Sequence, residues 1–480
     1  MQLISVDIGS TYTKGALLVL RDGQLHVQAR ASVPTTQDDL TTGFVQVLLA
    51  LGVLEEKTQL ETLAPTIPVY VSSSAKGGLS IAAVGLVPNV TMEAARLTAL
   101  SAGGRVSRVF SYLLTAADIE LLEQNPPDII LLSGGTDGGN ERYVRQNARR
   151  LAASTVPSCI VYAGNRQAAE DVERCLRGKP FTVTENILPA LDCLNPEPAR
   201  QVIRELFLQR IVQGKGLERL IRVLRHDPLP TPLAILEFVK ILHKHGTDLE
   251  DFCLVDVGGA TTDYYSALCH PLPGPETVYR GIPEPRIKRT VEGDLGLRVS
   301  ACSVLDAAGP SLEADVAHAG HRMESLQAYA RHVEAAPGHL AACADEACYD
   351  RLLFSTCVSI ATQRHAGRLR SVYTADGERH VQTGRDLRHV RRIVLTGGYA
   401  AHMNLDHCIP AMATVPVDDT GSSILAPRSP VCWIDRDHLV PLAANVAAAH
   451  PEAATRLVHD NLVRTRAATV HPHEHPRTSP

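Results

Sequence analysis

Two phrases far apart in the chain carry the same set of groups: VDIGSTYTKG, residues 6–15, and VDVGGATTD, residues 255–263. Each ends an apolar strand in an aspartate, turns through glycine and hydroxyl residues, and leaves along a second strand. A turn of that kind aims backbone N–H groups outward and makes a concavity for phosphate. Gly9, Gly258 and Gly259 permit close approach, while Ser10, Thr11, Thr13, Thr261 and Thr262 add hydroxyl donors. Asp7 and Asp256 would repel a phosphate, so their useful chemistry is to hold Mg2+ through water, because magnesium keeps waters alongside carboxylate and phosphate oxygens. Aligned on the two aspartates, the copies share the apolar residue before Asp, a Gly two residues on and a Thr six residues on. Either phrase alone reads as an ordinary Asp-Gly hairpin turn. The repeat, with equal spacing to the following strand, points to an internal duplication with a cleft between two halves.

The surrounding elements must place those turns. Residues 3–8, residues 15–20 and LHVQARASV predict a three-stranded antiparallel meander, followed by a helix at DDLTTGFVQVLLALG with Asp and Thr as its N-cap. From Pro68 to FTVTENIL strands alternate with helices, the signature of βαβ units on a parallel sheet. LLSGGTDGGN, residues 131–140, falls in this stretch. It is either an anion site at a helix start, with Asp137 as a ribose or metal contact, or a structural βα turn. A helical stretch from Glu197 to His245, broken by PLPTP, leads to the second phrase, where FCLVDVG, TTDYYSAL and TVYRGI predict a second meander. An Ala-rich helical region over 307–365 follows, then RRIVLTGGYAAH, a strand feeding a helix through Gly397 and Gly398. A last helix, HLVPLAANVAAAHPEAATRLVHDNLV, precedes the Pro- and His-rich VHPHEHPRTSP, which is expected to be disordered.

Composition narrows the classes of function. With 480 residues, 45% of them hydrophobic, the chain is long enough for two or three domains with real cores. A net charge of −5 offers no basic field for nucleic acid, and no apolar run approaches the ~20 residues of a membrane span. The N-terminus enters a strand with no basic region or cleavage site, so a cytoplasmic location is expected. Eleven cysteines, scattered and mostly within apolar stretches, suit free thiols in a reducing compartment.

The residues also carry a resemblance. VDIGSTYTKG and VDVGGATTD resemble the two phosphate motifs of the actin, sugar kinase and heat-shock chaperone ATPase superfamily, and IVLTGGYAAH resembles its adenosine motif. Together with LLSGGTDGGN and TVEGDLGLR, the whole chain is similar to the accessory L component of adenosylcobalamin-dependent glutamate mutase, the MutL or GlmL family. The resemblance implies an α/β fold of duplicated actin-like (ribonuclease H-like) ATPase domains facing a nucleotide cleft, with an inserted βαβ region. Residues 1–90 would begin the first domain, 91–195 form the insert, 196–250 a helical connection and 251–430 the second domain. Residues 431–465 would be a C-terminal helix returning to the first domain, and 466–480 the tail.

It further implies ATP and Mg2+ as ligands. Asp7 and Asp256 would position the metal through water; Gly9, Ser10, Thr11, Thr13, Gly258, Gly259, Thr261 and Thr262 would contact phosphates; Gly397 and Gly398 would lie against the nucleotide base or ribose. Glu292 and Gly293 would start a helix beside the adenosine. Lys14 either reaches a phosphate or is a solvated edge lysine, and Asp263, which replaces it in the second copy, would orient water for hydrolysis. The implied function is an ATP-dependent reactivating chaperone for a glutamate (methylaspartate) mutase or related aminomutase, with slow hydrolysis driving release of damaged cofactor. A small-molecule kinase of the sugar kinase type is the alternative. No D-x-H-x-x-G phrase of a cobalamin-binding protein stands in the chain, so the mutase subunits are expected to hold the corrinoid.

Overall fold

The computed structural model describes residues 1–36, 39–56, 67–74, 79–191, 193–212, 220–221, 224, 227–246, 250–269, 277–282, 284–374, 377–400, 417–428 and 430–464. The N-terminal meander forms as β1 (Gln2–Ile8), β2 (Tyr12–Arg21) and β3 (Gln24–Pro34), antiparallel throughout. β4 (Val69–Ser73) lies parallel to β1 on its other edge, and the short β10 (Leu229–Pro230) lies parallel to β4. The sheet therefore runs β3-β2-β1-β4-β10. β1 is paired on both edges and buried from Leu3 to Ile8, which is why its sequence is a nearly unbroken apolar run.

The second half repeats this plan. β11 (Phe252–Val257), β12 (Thr262–Ala267) and β14 (Ile287–Glu292) are antiparallel, with β17 (Arg392–Thr396) parallel to β11 and β19 (Val431–Ile434) parallel to β17. β20 (Val463–Arg464) closes the outer edge. Two sheets with one strand order, three antiparallel and two parallel, make the duplicated actin-like, ribonuclease H-like α/β fold. One strand differs from the sequence reading. TVYRGI is not the third strand of this meander: β13 (Thr277–Tyr279) pairs with β16 (Gly377–Thr383) in a separate sheet completed by β15 (Arg368–Thr374) and β18 (Ser423–Ile424). The true third strand, IKRTVE, hides its nature because Lys288 and Arg289 are buried, paired with Glu284 and Asp263. Charges at interior positions erase the alternation by which a strand is recognised.

Between β4 and β10 the chain builds a five-stranded parallel sheet from β5 (Ser80–Gly85), β6 (Arg105–Ser111), β7 (Ile129–Leu132), β8 (Cys159–Tyr162) and β9 (Phe181–Val183), ordered β6-β5-β7-β8-β9. This insert begins before residue 91, since β5 hydrogen-bonds to β6 and β7 rather than to the first sheet. The Glu197–Val212 helix packs on it through Ala199, Ile203 and Phe207, whereas β10 and the Thr231–His245 helix return to the first sheet. The stretch 196–250 is thus divided between the two.

One core joins the halves. Leu3 and Leu18 of the first sheet and Phe252, Leu254 and Tyr265 of the second pack around Phe238 of the Thr231–His245 helix and Val440 and Leu442 of the Leu439–Ala447 helix. Ser5 Oγ donates to the Leu442 carbonyl at 2.7 Å, and Asn445 Nδ2 donates to the Val6 carbonyl at 3.0 Å. Among the described residues no helix is long and apolar enough to cross a membrane. The terminal stretch expected to be disordered lies outside the described residues. Because Phe238 is fully buried in this core, Phe238→Ala is expected to cost about 3–5 kcal/mol and to lower the urea midpoint of both halves together. Trp433 fluorescence in the second sheet and hydrogen exchange in β1 would report each half; separate midpoints would contradict a shared core.

Candidate functional site

The two hairpins are built alike down to a single hydrogen bond. Gly9 N–H donates to the Tyr12 carbonyl at 3.0 Å and Gly258 N–H to the Thr261 carbonyl at 2.9 Å, the same offset from each aspartate. Across the strands Asp7 faces Lys14, and Asp256 faces Asp263. The turns meet each other: a Cβ added to Gly259 would lie 2.9 Å from Thr11 Oγ1 of the opposite turn. Gly397, at φ +117°, has no such room either, because a Cβ there would come within 2.2 Å of the Val257 carbonyl oxygen. Gly398 lies beside it, 3.3 Å from Lys14 Nζ when a Cβ is built. The Gly397–Gly398 turn and the two Asp-x-Gly turns therefore converge.

Between the hairpins is a small cavity of about 70 Å3, bordered by Ser10 from the first turn and Asp256, Gly258, Gly259, Thr261 and Asp263 from the second. Ser74, Thr231, Arg105 and Arg289 are among its other walls. Thr13 and Thr262, expected as phosphate donors, are not there. Both are fully buried; Thr13 Oγ1 shares a 3.0 Å hydrogen bond with Thr35 Oγ1, and Thr262 Oγ1 donates to the Leu295 carbonyl at 2.8 Å. Each sits one residue before a cleft-facing residue, Lys14 or Asp263, and side chains alternate along a strand. Their hydroxyls brace the turns from behind.

Electrostatics distinguish the aspartates. Asp7 Oδ1 accepts from Thr231 Oγ1 at 2.6 Å and Ser72 Oγ at 3.0 Å, and His438 Nε2 stands 3.8 Å from Oδ2, an electrostatic neighbour rather than a hydrogen-bond donor. Burial pushes the Asp7 carboxyl up, but His438, Thr231 and Lys14 outweigh it and hold it below the usual range. Asp256 goes the other way, pushed up to about 7 by burial and by the nearby Asp263 and Asp7. Lys14 is surrounded by Asp7, Asp256 and Asp435, and burial nevertheless lowers its ammonium from the ordinary lysine value. It is a cleft residue, not a solvated edge lysine.

Asp263 does not stand free to orient water. Its Oδ1 accepts from Arg289 Nε at 2.7 Å, with the second guanidinium nitrogen at 2.5 Å. Burial still raises its carboxyl against that partner. Glu292 is engaged as well, accepting from Arg364 at 2.9 Å, while Gly293 faces Arg105 of the insert. Sequence reasoning missed three residues here. Asp435 is buried and accepts from Thr396 Oγ1 and from the backbone N–H groups of Leu439 and Val440 at 2.8, 2.8 and 2.9 Å. Its only trace was an aspartate four residues ahead of an apolar helix, three before the N-cap position that His438 occupies. His438, in left-handed backbone at φ 52°, and Arg289, inside an unrecognised strand, left no comparable signal.

The donor set suits a hydrated cation. Among the described residues no group of three or more His, Cys, Asp or Glu could hold a metal directly. Asp7 and Asp256, offered from opposite hairpins, match an ion such as magnesium that keeps its waters and takes phosphate oxygens, and a cation would relieve the crowding that raises Asp256. LLSGGTDGGN, by contrast, bonds to its own surroundings. Asp137 Oδ1 accepts from Arg166 N at 3.0 Å and Asn186 Nδ2 at 2.9 Å, and Asn165 and Asn186 donate to the Gly139 and Gly135 carbonyls. The structural βα turn accounts for it.

Comparisons with known proteins agree over nearly the full length. Residues 3–462 match the family model described as MutL protein. Protein MutL of Clostridium tetanomorphum is 35% identical over 467 residues, covering 96% of this chain and 98% of the relative. Among solved structures, acetone carboxylase in its nucleotide-free form overlays 93% of this chain and 70% of its own at 15% identity and a TM-score of 0.37. Glycerol dehydratase reactivase overlays 94% of this chain and 100% of its own at 12% identity and a TM-score of 0.34. At such TM-scores neither likeness bears on activity.

The Asp256 environment sets a pH dependence. A carboxyl raised in the folded state contributes stability that is present below its unfolded value near 4 and is lost as pH rises through about 7. Asp256→Asn removes that loss, so without metal the variant should be more stable than the parent by a margin that grows between pH 5 and pH 8. Urea midpoints in a chelating buffer would test it; a margin independent of pH would contradict the crowding.

Proposed function

The chain belongs to the MutL protein family, and on that premise we propose that it is an ATP-dependent reactivating chaperone for an adenosylcobalamin-dependent mutase of the glutamate type. The observation that carries the nucleotide part of this reading is the meeting of two hairpin turns closed by the same backbone bond, one from each half, at Thr11 and Gly259 beside the Gly397–Gly398 turn. Outward N–H groups of both turns, with Ser10, Thr11 and Thr261, supply donors to phosphate oxygens. Lys14 adds the positive charge between the halves. Asp7 and Asp256 hold magnesium through its waters, and the ion neutralises phosphate charge when bound with the nucleotide. Gly397 and Gly398 receive the adenosine side. Asp263, tied to Arg289, keeps that guanidinium at the wall of the phosphate cavity.

The mutase part rests on the family alone. It makes the chain a slow ATPase whose nucleotide state is read by a larger partner carrying the corrinoid.

Asp7→Asn and Asp256→Asn should each abolish magnesium-dependent ATP binding in titration calorimetry while leaving the circular dichroism unchanged. Unaltered binding in both variants would remove the site from the cleft. ATP turnover should rise when the subunits of an adenosylcobalamin mutase are added, with no small hydroxylated compound phosphorylated. Sugar phosphorylation at a rate matching ATP loss, unaffected by mutase, would favour the kinase instead.

A further inference from the structure

A second cavity, of about 260 Å3, lies where the insert, the Thr231–His245 helix and β14 come together. Four cationic side chains line it: Arg200, Lys240, Lys288 and Arg289. Among the described residues no carboxylate does. Each of these cations meets an acid that stands outside the lining: Arg200 donates to Glu197 at 2.8 Å and to Glu237 at 3.0 Å, Lys240 to Glu237 at 2.7 Å, Lys288 to Glu284 at 2.8 Å and Arg289 to Asp263 at 2.7 Å. Arg200 Nε is buried with no hydrogen-bond partner among the described residues. A buried donor left in that state loses the full desolvation cost of the group unless something reaches it. Leu97 and Leu194 give the chamber apolar walls. Cationic donors set in apolar walls complement a small organic anion, and the volume exceeds the roughly 150 Å3 that holds a benzene.

Arg289 belongs to this chamber and to the phosphate cavity at once. Its guanidinium bonds Asp263 on the cleft side and the Leu100 and Gly104 carbonyls at the end of the Glu93–Ser101 helix at 2.6 and 2.9 Å. A negative charge placed beside Arg289 cancels part of the positive field that the guanidinium presents to phosphate.

We propose that this chamber binds a small organic carboxylate with an apolar body, and that its occupation weakens nucleotide binding through Arg289. The coupling, though not the chamber, rests on the reading of the hairpins as a nucleotide site.

The test uses the full chain with benzoate and adipate as probes and neutral benzamide as control. Benzoate or adipate should raise the melting temperature without nucleotide, and benzamide should not. Lys240→Met, at a partly exposed position, should weaken the anion by roughly tenfold, and Leu194→Trp, which fills the chamber, should abolish binding. Saturating anion should weaken Mg·ATP by about fivefold or more in the parent, with no effect in Leu194→Trp. Should Leu194→Trp fail to fold, Lys240→Met still decides the matter. Equal binding of benzamide, or anion binding untouched by Lys240→Met, overturns the chamber, as does failure of both anions on a chain that binds Mg·ATP. A chain that binds the anion but no nucleotide keeps the chamber and loses the reading of the cleft.

Discussion

Four carboxylates, Asp7, Asp256, Asp263 and Asp435, cannot be gathered at one cleft unless each finds donors or a cation, because burial strips away the water that would otherwise screen them. How that charge is met determines much of what surrounds the cleft. Asp7 takes two hydroxyls and a histidine, Asp435 takes a hydroxyl and a helix N-terminus, and Asp263 takes a guanidinium. Lys14 sits among three of the four. Asp256 is left with the least compensation and is pushed up to about 7. A positive charge brought beside Asp256 would relieve that crowding.

The duplication is faithful in backbone and unequal in charge. Both turns close with the same bond, yet the residue facing the first aspartate is Lys14 and the residue facing the second is Asp263. In the first half the hairpin contains its own countercharge. In the second it must be imported, and Arg289 on the neighbouring strand supplies it. That requirement accounts for a buried arginine inside the strand, while the adjacent Lys288 answers Glu284. A lone carboxylate pair at Asp256 and Asp263 would be costly, since like charges close together force one group to stay protonated.

Much of this was legible in the amino-acid order. Apolar runs ending in Asp-x-Gly announced the hairpins, and strand–helix alternation announced the insert, because backbone pairing and burial impose short periods on composition. What escaped notice has three separate physical causes. IKRTVE is a strand whose interior positions carry charge, so periodicity rejects it. Thr13 and Thr262 carry a suitable hydroxyl but fall on the wrong side of a strand, a matter of parity that counting residue types overlooks. Asp435 and His438 reach the cleft from the far end of the chain, more than four hundred residues from Asp7, and no local pattern records a contact of that range. LLSGGTDGGN left two readings open, because its glycines and aspartate suit an anion loop as well as a structural turn; asparagines from elsewhere in the insert consume its polar groups and decide for the turn.

The side chains that settle charge in the cleft are also the ones that fasten its surroundings. Asp435 joins Thr396 of β17 to the start of the Leu439–Ala447 helix, and that helix in turn bonds to β1 through Ser5 and Asn445. Arg289 joins β14 to the insert through the carbonyls at Leu100 and Gly104. A group held by several strong bonds cannot shift alone, because leaving any one of them unmade in a buried setting costs the desolvation of that donor or acceptor. Displacement at the cleft is therefore tied to displacement of a helix shared by both sheets and of an inserted domain more than a hundred residues long. The arrangement concentrates the mechanical connections of a large molecule on the few residues that sense charge between the two hairpins.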